Sequence, residues 1–169
     1  MVSLRKVFIP LAVIVAVIAV AVWIGPQMHQ GATIPLSVPD TTRADYEPLL
    51  PMQIGGVSVM ASVADSPEER QQGLSGTTML PEDVVKLFVF DDNNRWSFWM
   101  KDMRYAIDML WVNEGEEIVH IERAVAPETY PAQSFTPPVP ARYVIETVAG
   151  FSEKQQLATG TKVVLPDGL

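Results

Sequence analysis

The 169-residue sequence contains no cysteine and only two histidines, His29 and His120. The absence of cysteine excludes disulfide bonds, cysteine-based zinc sites, thiol nucleophiles and a lipid-modified cysteine anchor. His29 lies near the N-terminal apolar run and His120 lies in a strand-like segment, which leaves one histidine for the main part of the chain. A histidine-rich metal site is therefore not expected. The sequence predicts a protein with no metal and no cofactor.

Basic residues are also scarce, since 12 Lys and Arg stand against 20 Asp and Glu. Two of the basic residues, Arg5 and Lys6, come before the apolar run, so the chain after residue 24 has a formal charge of −10. Nucleic-acid binding needs a basic surface that neutralises phosphates. The charge balance therefore argues against nucleic acid as a partner.

One long apolar run is present, because 17 of the 18 residues from Val7 to Ile24 are apolar. As a helix it rises about 27 Å, close to the roughly 30 Å hydrocarbon core of a bilayer. Arg5 and Lys6 precede it, and no basic residue follows before Arg43. The positive-inside rule then places residues 1–6 in the cytoplasm and the remainder outside. We predict a single-pass protein of the cytoplasmic membrane, anchored by residues 7–24.

A cleaved signal peptide is the alternative for this run. Ala19-Val20-Ala21 matches the small-x-small pattern of a cleavage site, and cleavage there predicts a secreted protein. The chain stays apolar up to Ile24, however, and the run is longer than the 7–15 residues typical of a signal peptide. The uncleaved anchor is the preferred interpretation.

After the apolar run, residues 25–56 hold five prolines and little apolar periodicity, which predicts an extended spacer. Residues 57–169 are predicted to form the domain. Its strand-like segments are 57–64, 87–90, 95–101, 107–113, 118–125, 143–148 and 161–165. Seven short strands favour a mainly β (α+β) fold, as a compact antiparallel sandwich or a small barrel.

Two short helices are predicted within this domain. Ser66-Pro67-Glu68-Glu69 combines an N-cap serine, a proline at the first helical position and a glutamate at the third, and Gly73 stands near the helix end. Ser152-Glu153-Lys154-Gln155 repeats the capping pattern, with Gly160 as the terminator. The connection 126–142 contains five prolines, which predicts an ordered surface loop or a lid.

Several motifs in fixed order resemble a known family. They are Ala61-Ser62-Val63-Ala64-Asp65-Ser66-Pro67-Glu68-Glu69-Arg70-Gln71-Gln72-Gly73-Leu74, Leu87-Phe88-Val89-Phe90, Ser97-Phe98-Trp99-Met100-Lys101, Ile107-Asp108 and Pro140-Ala141-Arg142-Tyr143-Val144-Ile145-Glu146. Over about residues 57–165 the chain resembles the DUF192 family, also called UPF0127. The resemblance implies a compact, mostly β domain without an established activity, often secreted or anchored by one N-terminal segment.

Residues 95–101 supply a candidate binding face. In an extended chain, Trp96, Phe98 and Met100 share one face, while Trp99 and Lys101 share the other. An aromatic ring beside a cation is suited to stacking on a sugar or ring and to holding a polar group. The alternative is a solvated face in which Lys101 lies over Trp99.

Arg142 is the third candidate ligand residue, because it stands at the end of the proline-rich loop and an arginine can grip a carboxylate or phosphate with two hydrogen bonds. The alternative is an ion pair with Asp108, Glu146 or Glu69 that fastens the loop. The same three acids are the candidates for a catalytic carboxylate pair, and their separation decides that question. An acid at position 69 is also expected for helix capping alone.

Together these observations predict a non-catalytic binding or accessory module of the cell envelope. Its ligand is expected to be a small polar or saccharide-like molecule, or an envelope protein, bound by Trp99, Lys101 and Arg142. Tyr130 and Phe135 of the proline-rich loop are predicted lid contacts. The alternatives are an envelope hydrolase or lyase that uses paired carboxylates, and a purely structural protein-interaction domain.

Overall fold

The computed structural model describes residues 41–169. The predicted cytoplasmic residues 1–6, the predicted anchor at 7–24 and residues 25–40 of the predicted spacer lie outside the described residues. Within residues 41–169, no helix has both the length and the apolar character needed to cross a membrane.

Seven strands and three short α-helices make up the described chain, together with a 3₁₀ turn at Pro127–Thr129. The helices are α1 (Thr41–Ala44), α2 (Pro67–Gln72) and α3 (Phe151–Lys154). The strands are β1 (Leu49–Ile54), β2 (Val57–Ala64), β3 (Val84–Asn94), β4 (Ile107–Val112), β5 (Ile118–Val125), β6 (Ala141–Val148) and β7 (Val163–Val164).

All seven strands belong to one sheet in the order β5-β4-β6-β3-β2-β1-β7. Neighbouring strands are antiparallel except β2 and β3, which are parallel and are connected through α2. Glu117, before β5, forms a β-bridge with Lys162, before β7, and their side chains form an ion pair at 3.0 Å. This bridge joins the two edge strands at one end, so the sheet curls upon itself.

The mainly β prediction with short helices is therefore confirmed, and the strands form one curled sheet that is antiparallel except at the β2–β3 pair. Both faces of the sheet are buried because apolar residues occupy consecutive positions. On β3, for example, Leu87 packs in one core cluster and Phe88 in the other. All six residues of β4 are buried. We call the two sides the Leu87 face and the Phe88 face.

The domain begins earlier than predicted, because the end of the predicted spacer 25–56 is part of the sheet. β1 pairs with β2 along its full length, and Met52 and Ile54 of β1 are buried. Pro51 made this segment look like part of the proline-containing spacer in the sequence. Only Gln53 and Ile54 of β1 pair with β7, so Pro51 stands where its missing N–H is not needed.

The predicted strand at 95–101 is also corrected, because only Phe98 makes a β-bridge there, to Phe135 of the proline-rich loop. The predicted helix after Ser66 is present as α2, with a complete capping box and Gly73 as its C-cap. The second helix, α3, starts two residues earlier than expected, with Gly150 as its N-cap. Ser152 therefore lies inside α3 instead of capping it.

Candidate functional site

A cavity of about 270 Å³ lies on the Phe88 face of the sheet. It is enclosed by β3, β6, α2 with its following turn, and the segment 96–103. We call it the Glu146 pocket, after the carboxyl group that lines it. Its lining residues are Arg70, Gln71, Gln72, Gly73, Leu74, Ser75, Phe88, Phe90, Trp96, Ser97, Phe98, Trp99, Lys101, Met103 and Glu146.

Aromatic rings in defined contacts form the walls of this pocket. Trp96 stacks on Phe90 with ring centroids 3.9 Å apart and an interplanar angle of 10°. Phe98 meets Phe88 edge to face, at a centroid distance of 4.8 Å. The buried Trp111 fixes this wall from behind, because its Nε1 donates to the carbonyl of Trp96 at 3.0 Å. Interlocked rings of this kind give a rigid apolar surface.

Helix α2 and the turn after it form the opposite wall. Ser66 Oγ accepts from the amide of Glu69 at 3.2 Å, and the Glu69 carboxylate accepts from the amide of Ser66 at 3.1 Å. At the helix end Gly73 has φ +48°, and a Cβ there would stand 3.1 Å from the Phe88 ring. Glycine therefore permits α2 to end against the aromatic wall.

The rim of the pocket is tied together by hydrogen bonds. Gln72 Nε2 donates to the carbonyl of Ser75 at 2.7 Å. Ser75 Oγ in turn donates to the carbonyl of Lys101 at 2.9 Å. These contacts hold the turn after α2 beside the segment that carries Trp99, whose side chain is 51% exposed at the rim.

The proline-rich loop braces this segment from outside. The amides and carbonyls of Phe98 and Phe135 exchange two hydrogen bonds of 2.9 and 2.8 Å, and Arg95 Nε donates to the carbonyl of Pro137 at 2.8 Å. Phe135 is buried in the core, Tyr130 is 41% exposed, and neither lines the pocket. The predicted lid contacts are therefore absent from this pocket, and the loop acts as a brace.

Glu146 is the polar group at the base of the pocket, and only 5% of its surface is exposed. Lys86 stands directly opposite it on β3, but Lys86 Nζ donates to Ser62 Oγ at 3.2 Å. Burial raises the pKa of Glu146 to about 8, against the opposing effect of the Lys86 charge. Burial likewise lowers the pKa of Lys86, while the charges of Glu69 and Glu146 oppose this shift.

Two buried polar atoms at the pocket have no hydrogen-bond partner among the described residues, namely Glu146 Oε2 and Trp96 Nε1. Leaving a buried polar group unpaired costs about 1–3 kcal/mol. Most buried polar groups in proteins are paired, so each exception calls for an explanation. Both atoms belong to residues that line the same cavity, where a bound molecule can pair with them.

The other two predicted acids are fully engaged elsewhere. Asp108 is completely buried and its carboxylate accepts four hydrogen bonds, of 2.6–3.2 Å, from Ala124, Gly150 and Ser152. It joins the end of β5 to the start of α3 and does not line the pocket. Glu69 serves the capping box of α2, and hydrogen bonds from Ser66 and Asp65 lower its pKa to about 2.

Arg142 is separated from the other two predicted ligand residues. Trp99 and Lys101 line the Glu146 pocket, whereas Arg142 does not. Arg142 Nε donates to the carbonyl of Phe90 at 3.3 Å, and its guanidinium lies 5.7 Å from the Tyr143 ring centroid. Among residues 41–169 it forms no ion pair with the predicted acids, so its role is to hold β6 against β3.

The pocket adjoins a second cavity of about 240 Å³, which we call the outer groove. The two cavities share five residues: Gln71, Gln72, Ser75, Trp99 and Lys101. The outer groove adds the acids Glu68 and Asp102. A ligand that fills both would thus meet aromatic walls at its inner end and charged or amide groups at its outer end.

A larger cavity of about 480 Å³ lies beside β1, β2 and β7. Its charged lining groups include Arg43 and Asp83, which pair with each other at 2.7 Å. Neither of the two unpartnered buried atoms lines this cavity. Size alone does not make a binding site, so we place the candidate site at the Glu146 pocket.

The curled mixed sheet and its pocket define a compact, mainly β domain with an aromatic-walled cavity on one sheet face. The family model of DUF192, described as "Uncharacterized ACR", matches residues 51–165. The chain belongs to this family. No curated relative matches the sequence significantly.

Two crystal structures share the fold. One, from Sinorhizobium meliloti 1021, is described as a "putative transcription regulator"; it has a TM-score of 0.65 and 23% identity, over 72% of this chain and 95% of that chain. The other, a protein of unknown function from Novosphingobium aromaticivorans DSM 12444, has a TM-score of 0.65 and 20% identity, over 69% of this chain and 85% of that chain. At these identities the likeness concerns the fold.

Proposed function

We propose that this domain is a non-catalytic binding module that holds a small molecule in the Glu146 pocket. The observation that carries the proposal is the Glu146 carboxyl, which is buried, lines an aromatic-walled cavity and has no hydrogen-bond partner for Oε2 within residues 41–169. Binding sites for small molecules are concave and mostly apolar, with a few polar groups that fix the ligand. A titratable group with a displaced pKa in such a cleft is a further mark of a functional site.

The proposal includes a place in the cell envelope. The apolar run at residues 7–24, with Arg5 and Lys6 before it, supports an anchor that leaves the domain outside the cytoplasm. Secretion after cleavage of that run is the alternative. Either location exposes the pocket to small molecules of the envelope or its surroundings.

Catalysis by paired carboxylates receives less support, because Glu146 is the one acid among the described residues that line the pocket, and the two acids of the outer groove, Glu68 and Asp102, are exposed to solvent. Asp108 and Glu69 are committed to hydrogen bonds with backbone amides and Ser side chains. A hydrolase or lyase of the expected kind needs a second carboxyl group facing the same cleft.

The description of the Sinorhizobium meliloti chain suggests regulation of transcription. We do not extend that role to this protein, because the chain after residue 24 carries 10 basic and 20 acidic residues. Such a surface repels DNA phosphates. An envelope protein as partner remains the second candidate, and Trp99, exposed at the pocket rim, is the residue that favours it.

A thermal-shift screen of small molecules against the full-length protein tests the proposal. We expect hits that raise the melting temperature of the wild type and lose their effect in Trp99→Ala. Tyr130→Ala is the matched control, because it removes an exposed aromatic residue that does not line the pocket. Hits that survive Trp99→Ala and vanish in Tyr130→Ala would contradict the assignment of the site.

A further inference from the structure

We propose that the Glu146 pocket receives a neutral, flat ring with a cis-amide edge, in which a ring N–H and a C=O are adjacent, while a polar remainder of the ligand lies in the outer groove. This inference rests on the proposed function and names the ligand class for the same site. It follows from the shape of the pocket, the charges around it and the two unpartnered polar atoms.

The shape of the pocket selects a small flat group. Its volume of about 270 Å³ is just below the range of roughly 300–1,000 Å³ that is usual for drug-sized ligands. Phe90 and Trp96 form a parallel stack in its wall, and Trp99 stands at its rim. Aromatic walls favour planar rings, which can stack or meet them edge to face.

The charges around the pocket select a neutral inner group. Lys86 stands opposite Glu146 on β3 and its charge acts on this carboxyl group, while two further cations, Arg70 and Lys101, belong to the lining of the same pocket. A cationic ligand would add a fourth positive charge beside one carboxyl group. An anion at the base of the pocket would lose its hydration beside Glu146. Arg70 is poorly placed to compensate that anion, because its guanidinium already donates to the carbonyls of Asp65 and Val89.

The hydrogen-bonding groups select the cis-amide edge. A protonated carboxyl group presents one donor and one acceptor side by side. A ring amide presents the complementary pair, since its N–H donates and its C=O accepts. Trp96 Nε1 supplies a second donor for a further carbonyl on the ring. Such a ligand pairs both unpartnered atoms of the pocket at once.

The same pairing makes binding depend on pH. Burial raises the pKa of Glu146 to about 8, so the carboxyl group is protonated at neutral pH. The titratable groups that interact with it are Lys86 from β3 and Tyr105 from the segment before β4, and Arg70 and Lys101 are the other charged groups in the pocket lining. If the ring binds only the protonated carboxyl, its affinity falls about tenfold per pH unit above the pKa of Glu146.

Calorimetric titration of the full-length protein with 2-quinolinone tests the ligand class. 2-Methoxyquinoline is the matched control, since it has the same ring system without the N–H and C=O pair. At pH 6 we expect 2-quinolinone to bind at least tenfold more tightly than 2-methoxyquinoline. We expect 2-quinolinone to lose most of its affinity between pH 6 and pH 10. Benzylammonium is the cationic probe and is expected not to bind.

Two variants separate a positioning effect from direct pairing. Glu146→Gln keeps a donor and an acceptor, so we expect it to bind 2-quinolinone with an affinity that no longer changes between pH 6 and pH 10. Glu146→Leu is expected to abolish binding while circular dichroism verifies its fold. A melting temperature close to that of Glu146→Gln completes this check.

Each other outcome overturns the inference in a distinguishable way. Binding of benzylammonium that strengthens up to pH 8, without binding of 2-quinolinone, would replace the neutral ring with a cation and leave the pocket as the site. Equal affinity for 2-quinolinone and its methoxy control would remove the cis-amide requirement. Binding of none of the three probes refutes the ligand class; the screen with Trp99→Ala decides separately whether the proposed function also fails.

Discussion

The buried carboxyl of Glu146 makes the free energy of unfolding depend on pH. The folded group, whose pKa is raised to about 8, keeps its proton up to that pH, whereas in the unfolded chain it ionises near its ordinary value of 4.5. Between these two values the folded state binds more protons than the unfolded state. The free energy of unfolding therefore falls as the pH rises from about 4.5 to about 8.

The displacement from 4.5 to about 8 corresponds to about 5 kcal/mol between the neutral and ionised groups. The measured loss is expected to be smaller, about 2–4 kcal/mol, because the chain relaxes around an ionised carboxylate. Glu146→Gln removes the titration and keeps the shape of the side chain. We expect the variant to unfold with nearly the wild-type free energy at pH 4.5 and to exceed the wild type by about 2–4 kcal/mol at pH 9.

Denaturant titrations of the full-length protein at pH 4.5, 7 and 9 measure this difference. Glu128→Gln is the control for the loss of one negative charge, because Glu128 is exposed and does not line the pocket. Parallel pH profiles for the wild type and Glu146→Gln would contradict this prediction, since they would mean that Glu146 ionises as easily in the folded state as in the unfolded chain.

Three further predictions follow from contacts in the fold. Asp108→Ala should lower the free energy of unfolding by about 3–5 kcal/mol in denaturant titrations, because buried donors lose a charged acceptor; a loss below about 1 kcal/mol would contradict this role. Gly73→Ala should cost about 1–3 kcal/mol by the same measurement, since its backbone conformation disfavours a side chain and its Cβ would approach Phe88; Gly76→Ala, where a Cβ meets nothing within 4 Å, is the control for loss of a positive-φ glycine. For the α2 cap, hydrogen bonds lower the pKa of Glu69 to about 2, so its contribution to stability is present above pH 4.5 and lost as the pH falls towards 2; Glu69→Gln should flatten this part of the acid-unfolding curve, and an unchanged curve would show that the cap does not matter.

Local patterns in the sequence predicted much of the fold. The strands at 57–64 and 118–125 have the predicted bounds, because alternation and turn residues delimit them clearly. The capping box of α2 was also predicted correctly, because its residues are neighbours in the chain. What the sequence obscured was β1, where Pro51 suggested a spacer, and the parallel pairing of β2 with β3, which depends on contacts between distant segments.

The site was predicted in part. Trp99 and Lys101 line the pocket as a pair, but the partner that the structure gives them is Glu146, and Arg142 bonds to a backbone carbonyl instead. The sequence did contain a signal for Glu146, because it is the single acid within the otherwise mostly apolar strand at 141–148. An acid in a strand that is buried on both faces must be paired, neutral or functional.

The aromatic wall was the feature that sequence reasoning missed. Alternation placed Trp96 and Phe98 on the face opposite Trp99 and Lys101. Both pack against the core, yet they also line the pocket together with Trp99 and Lys101. The cavity forms because α2 ends at Gly73 against Phe88 and the proline-rich loop holds residue 98 in place. That arrangement depends on tertiary contacts between four separate segments, which alternation along one segment cannot reveal.

Crystallographic soaking of the full-length protein with small ring-containing fragments shows directly whether the Glu146 pocket is a binding site. We expect fragments to concentrate in the Glu146 pocket, with a polar atom within hydrogen-bond distance of Glu146 Oε2 or Trp96 Nε1. Fragments that collect at the Arg43–Asp83 cavity and leave the Glu146 pocket empty would contradict this expectation.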